Sequence, residues 1–279
     1  MRSDIVLALR RLRRAPIFTL FSIVTLALAI GVVTAVYSLI RSGLRTELSI
    51  GDASSVVMIA KRSSMTDALY PASLSWPDYQ DLIQQTDVFQ STAAWTTFTN
   101  ALVVGDSSEI VFGELVSGDY FATIGLHAER GRLIDSGDDR PGAPAVAVLS
   151  ASAWRRRFAR DPRAVGSTIR LAGRPFEVIG IAPESFRGLR PLVRFASPDV
   201  WVPLSHARAL APSWARQDRG RRDHTWLNVV GRLSAGRQMA DAERQVQMLS
   251  DRIDAAEPLP DLGVGNGTYV KQQRHWYAL

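Results

Sequence analysis

The stretch from Ile17 to Ile40, IFTLFSIVTLALAIGVVTAVYSLI, runs for 24 residues without a charge. As a helix rising 1.5 Å per residue it covers about 36 Å, enough to cross a hydrocarbon core of about 30 Å with some tilt. Cleaved leaders have shorter apolar regions that end at a small-residue site. This run continues instead through Tyr37, Leu39 and Ile40 to Arg41. The reading is a retained transmembrane helix over 17–40. Arg10, Arg11, Arg13 and Arg14 lie just ahead of it, and together with Arg2 they face only Asp4. Cationic flanks stay on the cytoplasmic side. These arginines are therefore a topology signal that holds the N-terminus inside and leaves the bulk of the chain outside the cytoplasm. Ala27, Gly31 and Ala35 recur every fourth residue, a small-residue face on which another helix can pack closely.

Residues 1–16 read as a cytoplasmic amphipathic segment, with Ile5, Leu9 and Leu12 on one face and arginines suited to anionic lipid. Beyond the span, residues 41–279 are long enough for one large domain or two small ones. The formal charge of +6 exaggerates how basic that part is. Without the five N-terminal arginines and Asp4, 28 basic residues meet 26 acidic ones. That balance does not describe a nucleic-acid binder. The distribution is uneven, however: residues 41–153 carry 7 basic and 14 acidic side chains, residues 154–222 carry 15 arginines and 5 acidic ones. The two stretches suit docking on each other, or the basic one suits an anionic partner. Cysteine is absent, which excludes disulfides and thiol chemistry.

Local signals place mixed elements along 41–256. Val56–Ala60 reads as a buried strand. A helix opens at SWPDY, with Ser75 as N-cap, Pro77 in the first turn and Asp78 closing a capping box, and with Leu82 and Ile83 inward. Two strands flank the turn at Val104-Gly105-Asp106, the second covering 110–116. A short helix holds Tyr120, Phe121 and Ile124 and stops at Gly125. A strand over 145–149 leads through the N-cap Ser150 into a helix ending at Phe158, before Asp161-Pro162. A hairpin pairs 169–171 with 176–181, another strand follows at 200–204, and Leu227, Val229, Gly231 and Leu233 alternate as a half-exposed strand. Ala242, Val246, Leu249 and Ile253 mark one face of a last helix. Residues 257–279 read as an irregular tail. Strands and helices mix without regular βα alternation, so the class is α+β.

Motifs for chemistry are scarce. There is no GxxxxGK[ST] loop, and Lys61 and Lys271 are the only lysines. His127, His206, His224 and His275 show no metal-ligand spacing, and no GxSxG elbow exists. The pair Asp138-Asp139 reads as a solvated turn. No catalytic, cofactor-binding or metal-binding residue is nominated, and the chain is not expected to be an enzyme.

Longer segments carry more information. The arginine-rich start running into RRAPIFT, VSGDYFATIGLHAERGR at 116–132, VLSASAWRRRFARDPRAVGSTIRLAGRPFEVIGIAPESFRG at 148–188, and WLNVVGRLSAGRQMADAERQVQMLSDRI at 226–253 together resemble the MacB-like/FtsX-like ABC transporter permeases, and most closely their orphan subgroup. The resemblance covers nearly all of 1–256. It implies one transmembrane helix followed by a two-lobed extracytoplasmic α+β core over 41–256, a porter-like lobe with a smaller lobe inserted within about 116–222. It also implies a permease-like subunit of an export or mechanotransmission system in the inner (plasma) membrane. ATP would bind only a separate ATPase subunit, and a second copy and further permease spans would be partners in the bilayer. Family members carry three more spans after the core, and this sequence reaches Leu279 without them. The expectation is a truncated permease. The alternative is a single-span anchored binding or adaptor protein.

Overall fold

The computed structural model describes residues 53–61, 73–105, 107–189, 197–211, 220–257 and 268–272, together with eight positions between 17 and 34. Two compact units emerge, residues 1–46 with 278–279, and residues 47–277. The eight described positions of the first unit are all helical. Among the described residues no helix is long and apolar enough to cross a membrane.

The second unit is built on one hydrogen-bonded sheet. Its strands are β1 (Val56–Lys61), β2 (Leu74–Ser75), β3 (Phe89–Val104), β4 (Ser107–Val116), β5 (Arg130–Gly131), β6 (Val146–Leu149), β7 (Thr168–Leu171), β8 (Arg174–Ile181), β9 (Val200–Pro203), β10 (Thr225–Leu233) and β11 (Thr268–Gln272). The helices are α1 (Trp76–Gln85), α2 (Tyr120–Ile124), α3 (Ala151–Phe158), α4 (Ala207–Leu210) and α5 (Met239–Ala256). The main path runs β11-β1-β10-β3-β4-β9-β6-β8-β5, and β7 bridges β8 back to β3. Six strands therefore close a ring in the order β3, β4, β9, β6, β8, β7.

The ring is possible because β3 is sixteen residues long. Its first half pairs β10, while Leu102 and Val103 near its end reach Leu171 and Arg170 of β7. Side chains alternate faces along each strand. Phe98, Leu102, Val111, Leu115, Val200, Val202, Leu149, Phe176 and Ile169 fall in one buried cluster, which fills the ring. The same cluster continues under α1 and α5 through Tyr79, Leu82, Val246 and Leu249. The opposite face carries a second cluster, in which Trp95, Val148, Trp201 and Val230 pack against Tyr120, Phe121, Ile124 and Phe186. Phe121 meets Trp201 edge to face at 6.0 Å.

Local signals explain the helix starts. The Ser75 hydroxyl accepts from the Asp78 amide at 3.2 Å, and the Asp78 carboxylate accepts from the Ser75 amide at 3.3 Å, which is the capping box read from SWPDY. The Ser150 hydroxyl accepts from the Ala153 amide at 3.1 Å. The β7–β8 turn is held by Ala172 and Gly173, both at positive φ, as a tight hairpin requires.

Three expectations change. Ile83 is 46% exposed while Leu82 is buried, because neighbours on a helix point about 100° apart and Leu82 takes the inward direction on α1. β10 is buried on both sides rather than half-exposed, since each face of the sheet has its own core. The tail expected to be irregular contributes β11, which pairs with β1 from Val57↔Gln272 to Lys61↔Thr268.

Candidate functional site

The sequence ASAWRRRF sets three consecutive arginines about 100° apart around α3, with Arg155 and Arg156 half-exposed and Arg157 largely buried. Arg155 donates to Glu184 at 2.5 Å, and Arg160 reaches the same carboxylate at 3.4 Å. Arg156 pairs with Asp199, which also accepts from Arg157 at 3.3 Å. Arg157 in addition pairs with Glu109 of β4. These groups surround a groove of about 520 Å³ between α3, the 184–187 loop and the outer part of β4. Ile110, Phe112 and Phe186 give it an apolar seat, Arg155, Arg156 and Arg187 its cationic arms, and Glu184 and Asp199 its carboxylates. The N-cap Ser150 and Ser152 form its inner end, their hydroxyls 2.9 Å apart.

Electrostatics distinguish the two carboxylates. Asp199 is largely buried and anchored through its backbone too, its amide donating to Phe112 at 2.7 Å and its carbonyl accepting from Ser150 at 2.9 Å. Glu184 is exposed, and the hydrogen bond from Arg155 holds its carboxyl below the usual range, with Arg160 and Arg187 adding to the effect. The Arg157 guanidinium is lowered in pKa by burial, only partly offset by Asp199. Its Nε and Nη1 find no partner among the described residues. The groove thus suits an anionic group that can compete with Glu184 for half-exposed arginines.

Other polar clusters are structural. Arg222 is clamped by Asp78 at 3.0 Å, Asp81 at 2.7 Å and Glu257 at 2.9 Å, tying the start of α1 to the end of α5. Among the described residues, the ion pairs of Arg222 with Asp78 and Asp81 and of Arg157 with Glu109 join the basic stretch 154–222 to the acidic stretch 41–153. Arg155, Arg156, Arg160 and Arg163 pair with carboxylates of the basic stretch itself. Asp138-Asp139, expected as a solvated turn, is a brace instead. Asp138 is buried and takes two bonds from Arg132, at 2.5 and 2.8 Å, which depress its pKa. Asp139 accepts from the amides of Gly118 at 3.2 Å and Ser205 at 2.6 Å, joining segments far apart in sequence. His206 packs on Phe176 with ring centroids 5.1 Å apart, and burial lowers its pKa. Among the described residues no three acidic, histidine or cysteine side chains are grouped to hold a metal ion.

Of the residues singled out in the N-terminal segment, Ala27 and Gly31 are helical. A side chain at Gly31 would meet no atom within 4 Å. Leu26, Leu28 and Ile30 around them are exposed. Ala35, Arg10, Arg11, Arg13 and Arg14 lie outside the described residues. The groove was not foreseen. RRRF in a helix was visible, but nothing local announces that Asp199, Glu184 and Ile110 converge on it.

Comparison with known proteins fixes the family. The sequence model of the MacB-like periplasmic core domain matches residues 19–249. Among solved structures, the periplasmic region of MacB from Actinobacillus actinomycetemcomitans aligns with a TM-score of 0.57 at 19% identity, over 83% of this chain and 94% of that one. The extracellular domain of the noncanonic ABC-type transporter YknZ from Gram-positive bacteria aligns with a TM-score of 0.53 at 14% identity, over 77% of this chain and 98% of that one. At such identities the likeness concerns the fold. No curated protein matches the chain.

Proposed function

The chain belongs to the MacB-like periplasmic core domain family, and on that basis we propose that it serves as a permease-like subunit of an ABC-type export or mechanotransmission system. The family match over 19–249 carries this reading. In it, residues 17–40 anchor the chain in the inner (plasma) membrane with the N-terminus cytoplasmic, and the core works outside the membrane. The core is two-lobed, with a smaller lobe inserted within about 116–222 and a porter-like lobe built from the rest of 41–256. ATP is bound by a separate ATPase subunit, and copies of the chain pair through the small-residue face at Ala27, Gly31 and Ala35.

The sheet supports a core tethered from one side. β11 runs antiparallel to β1, so Gln272 at its end lies opposite Val57 near the start of β1. A core that hands motion to a partner needs rigidity between that end and its exposed surface, and a continuous hydrogen-bonded sheet provides it. The test is isolation of the affinity-tagged full-length chain from crosslinked native membranes, with co-purifying proteins identified by mass spectrometry. An ABC ATPase in the complex is the expected result. Repeated recovery of the chain without any ATPase would favour the anchored adaptor instead.

A further inference from the structure

The groove beside α3 has a property that its arginines do not explain. The Phe112 carbonyl accepts from Asp199, so the backbone groups of Phe112 face the β9 side of β4. Peptide groups alternate sides along a strand with a period of two. The amides and carbonyls of Ser108 and Ile110 therefore face that side as well. β9 begins its pairing with β4 only at Gly113, and no described residue pairs with Ser108 or Ile110 there. The other side of β4 is fully used, in unbroken register with β3 from Val104↔Ser107 to Trp95↔Val116. Side chains 107–110 are all exposed, and Ile110 is 71% exposed. Native edges of this kind are normally blunted by charge, proline or cover. Glu109 is the only charge in Ser107–Ile110, and Arg157 engages it.

We propose that this open edge takes an extended acidic segment of a partner protein, which adds a strand beside Ser108–Ile110 and sets its carboxylates against Arg155 and Arg187. Backbone pairing along a free edge supplies affinity, and flanking side chains supply selectivity. Ile110 and Phe112 offer a seat for apolar side chains of the incoming strand. The charge selects acidic ones: Arg155, Arg156 and Arg187 line the groove against Glu184 and Asp199, and Arg157 and Arg160 add to the same carboxylates. The Arg155–Glu184 pair is about half-exposed on both sides. Such pairs contribute little to stability, so Arg155 can exchange Glu184 for an incoming carboxylate. The inference rests on the proposed function only in placing the groove outside the membrane.

The experiment titrates a fluorescein-labelled peptide of alternating Glu and Val, and its Lys/Val counterpart, against the purified full-length chain in detergent. Anisotropy reads binding, and amide hydrogen exchange reads protection at residues 107–112. The expected result is binding of the Glu/Val peptide, slowed exchange at Ser108 and Ile110, and affinity about tenfold weaker in the Arg155→Gln/Arg187→Gln variant. Ile110→Asp alters an exposed side chain without touching the core, removes the apolar seat, sets a like charge against the peptide and weakens binding too. The proposal is overturned by failure of the Glu/Val peptide to bind, by equal binding of the Lys/Val peptide, or by binding that leaves exchange at Ser108 and Ile110 unchanged. Concentration-dependent protection of these amides without peptide would also overturn it, by placing a second copy on the edge. None of these outcomes alters whether an ATPase co-purifies, so the two readings fail separately.

Discussion

The two halves of β4 share one backbone conformation and one partner, β3, yet their surroundings are opposite. From Val111 to Val116 the strand is a wall of the closed ring. β9 covers its second side from Gly113, Val111 and Leu115 point into the packed interior, and Glu114 is buried on the outer face, where it accepts from Trp201 at 2.7 Å and Tyr120 at 3.2 Å. From Ser107 to Ile110 the strand projects beyond β9, exposed and with no described residue paired on that side. The cause is a mismatch of length, because a ten-residue strand lies beside a four-residue one. What lies within the ring is fixed by packing, and what overhangs it is open to a partner. The arginines divide the same way. Arg222 is 15% exposed and clamped by three carboxylates, whereas Arg155 is 47% exposed and shares Glu184 with Arg160.

The largest expected effect breaks the closed half. Phe98→Ala empties the ring beside Gly113 and is expected to cost about 3–5 kcal/mol in chemical denaturation. Gly113 exists for the same ring, since a Cβ there would lie 2.4 Å from the Phe98 Cζ. Gly113→Ala should cost about 1–3 kcal/mol by overpacking, and Gly113→Ala combined with Phe98→Leu should cost less than the sum of the two single changes. Matching additive costs would show that the two residues do not share the space.

A smaller effect tests the brace behind the ring. Asp138→Asn loses the charge-assisted bonds from Arg132 and should cost about 2 kcal/mol at neutral pH. Because Arg132 depresses the folded-state pKa of Asp138, the unfolded chain takes up that proton first on acidification. The contribution is complete above the ordinary carboxylate pKa and fades as pH falls through the depressed folded value. Melting curves of the two proteins should therefore converge at strongly acidic pH and stay apart above it. The smallest effect belongs to the open half. Arg155→Ala removes a half-exposed ion pair and should change stability by about 0.5 kcal/mol or less. A loss comparable to that of Asp138→Asn would make Arg155 structural and contradict its availability to a partner.

The sequence declared what local chemistry controls. The Ser75–Asp78 capping box, the Ser150 cap, the hairpin of 169–171 with 176–181 and the Ala242, Val246, Leu249 stripe all depend on residues within a few positions, and each formed as read. The closed ring was not legible, because it depends on β7 folding back onto the far end of β3, where Leu102 pairs with Leu171. Nor was the burial of both faces of β10, since alternation reveals one apolar face and not a second layer across the sheet. Asp138-Asp139 looked like a solvated turn because its partners Arg132, Gly118 and Ser205 are assembled only by the fold. The groove was hidden for the same reason. Three adjacent arginines are plain in the sequence, but the strand edge opposite them is a product of where β9 begins.

In the proposed function the core stands outside the membrane on an N-terminal anchor. Protease added to intact spheroplasts carrying the full-length chain tests this directly, with antibodies to the N-terminus and to the core. Digestion of the region beyond Arg41, with the N-terminal segment protected, is the predicted result. Full protection of the core, released only when the membrane is permeabilised, would contradict it.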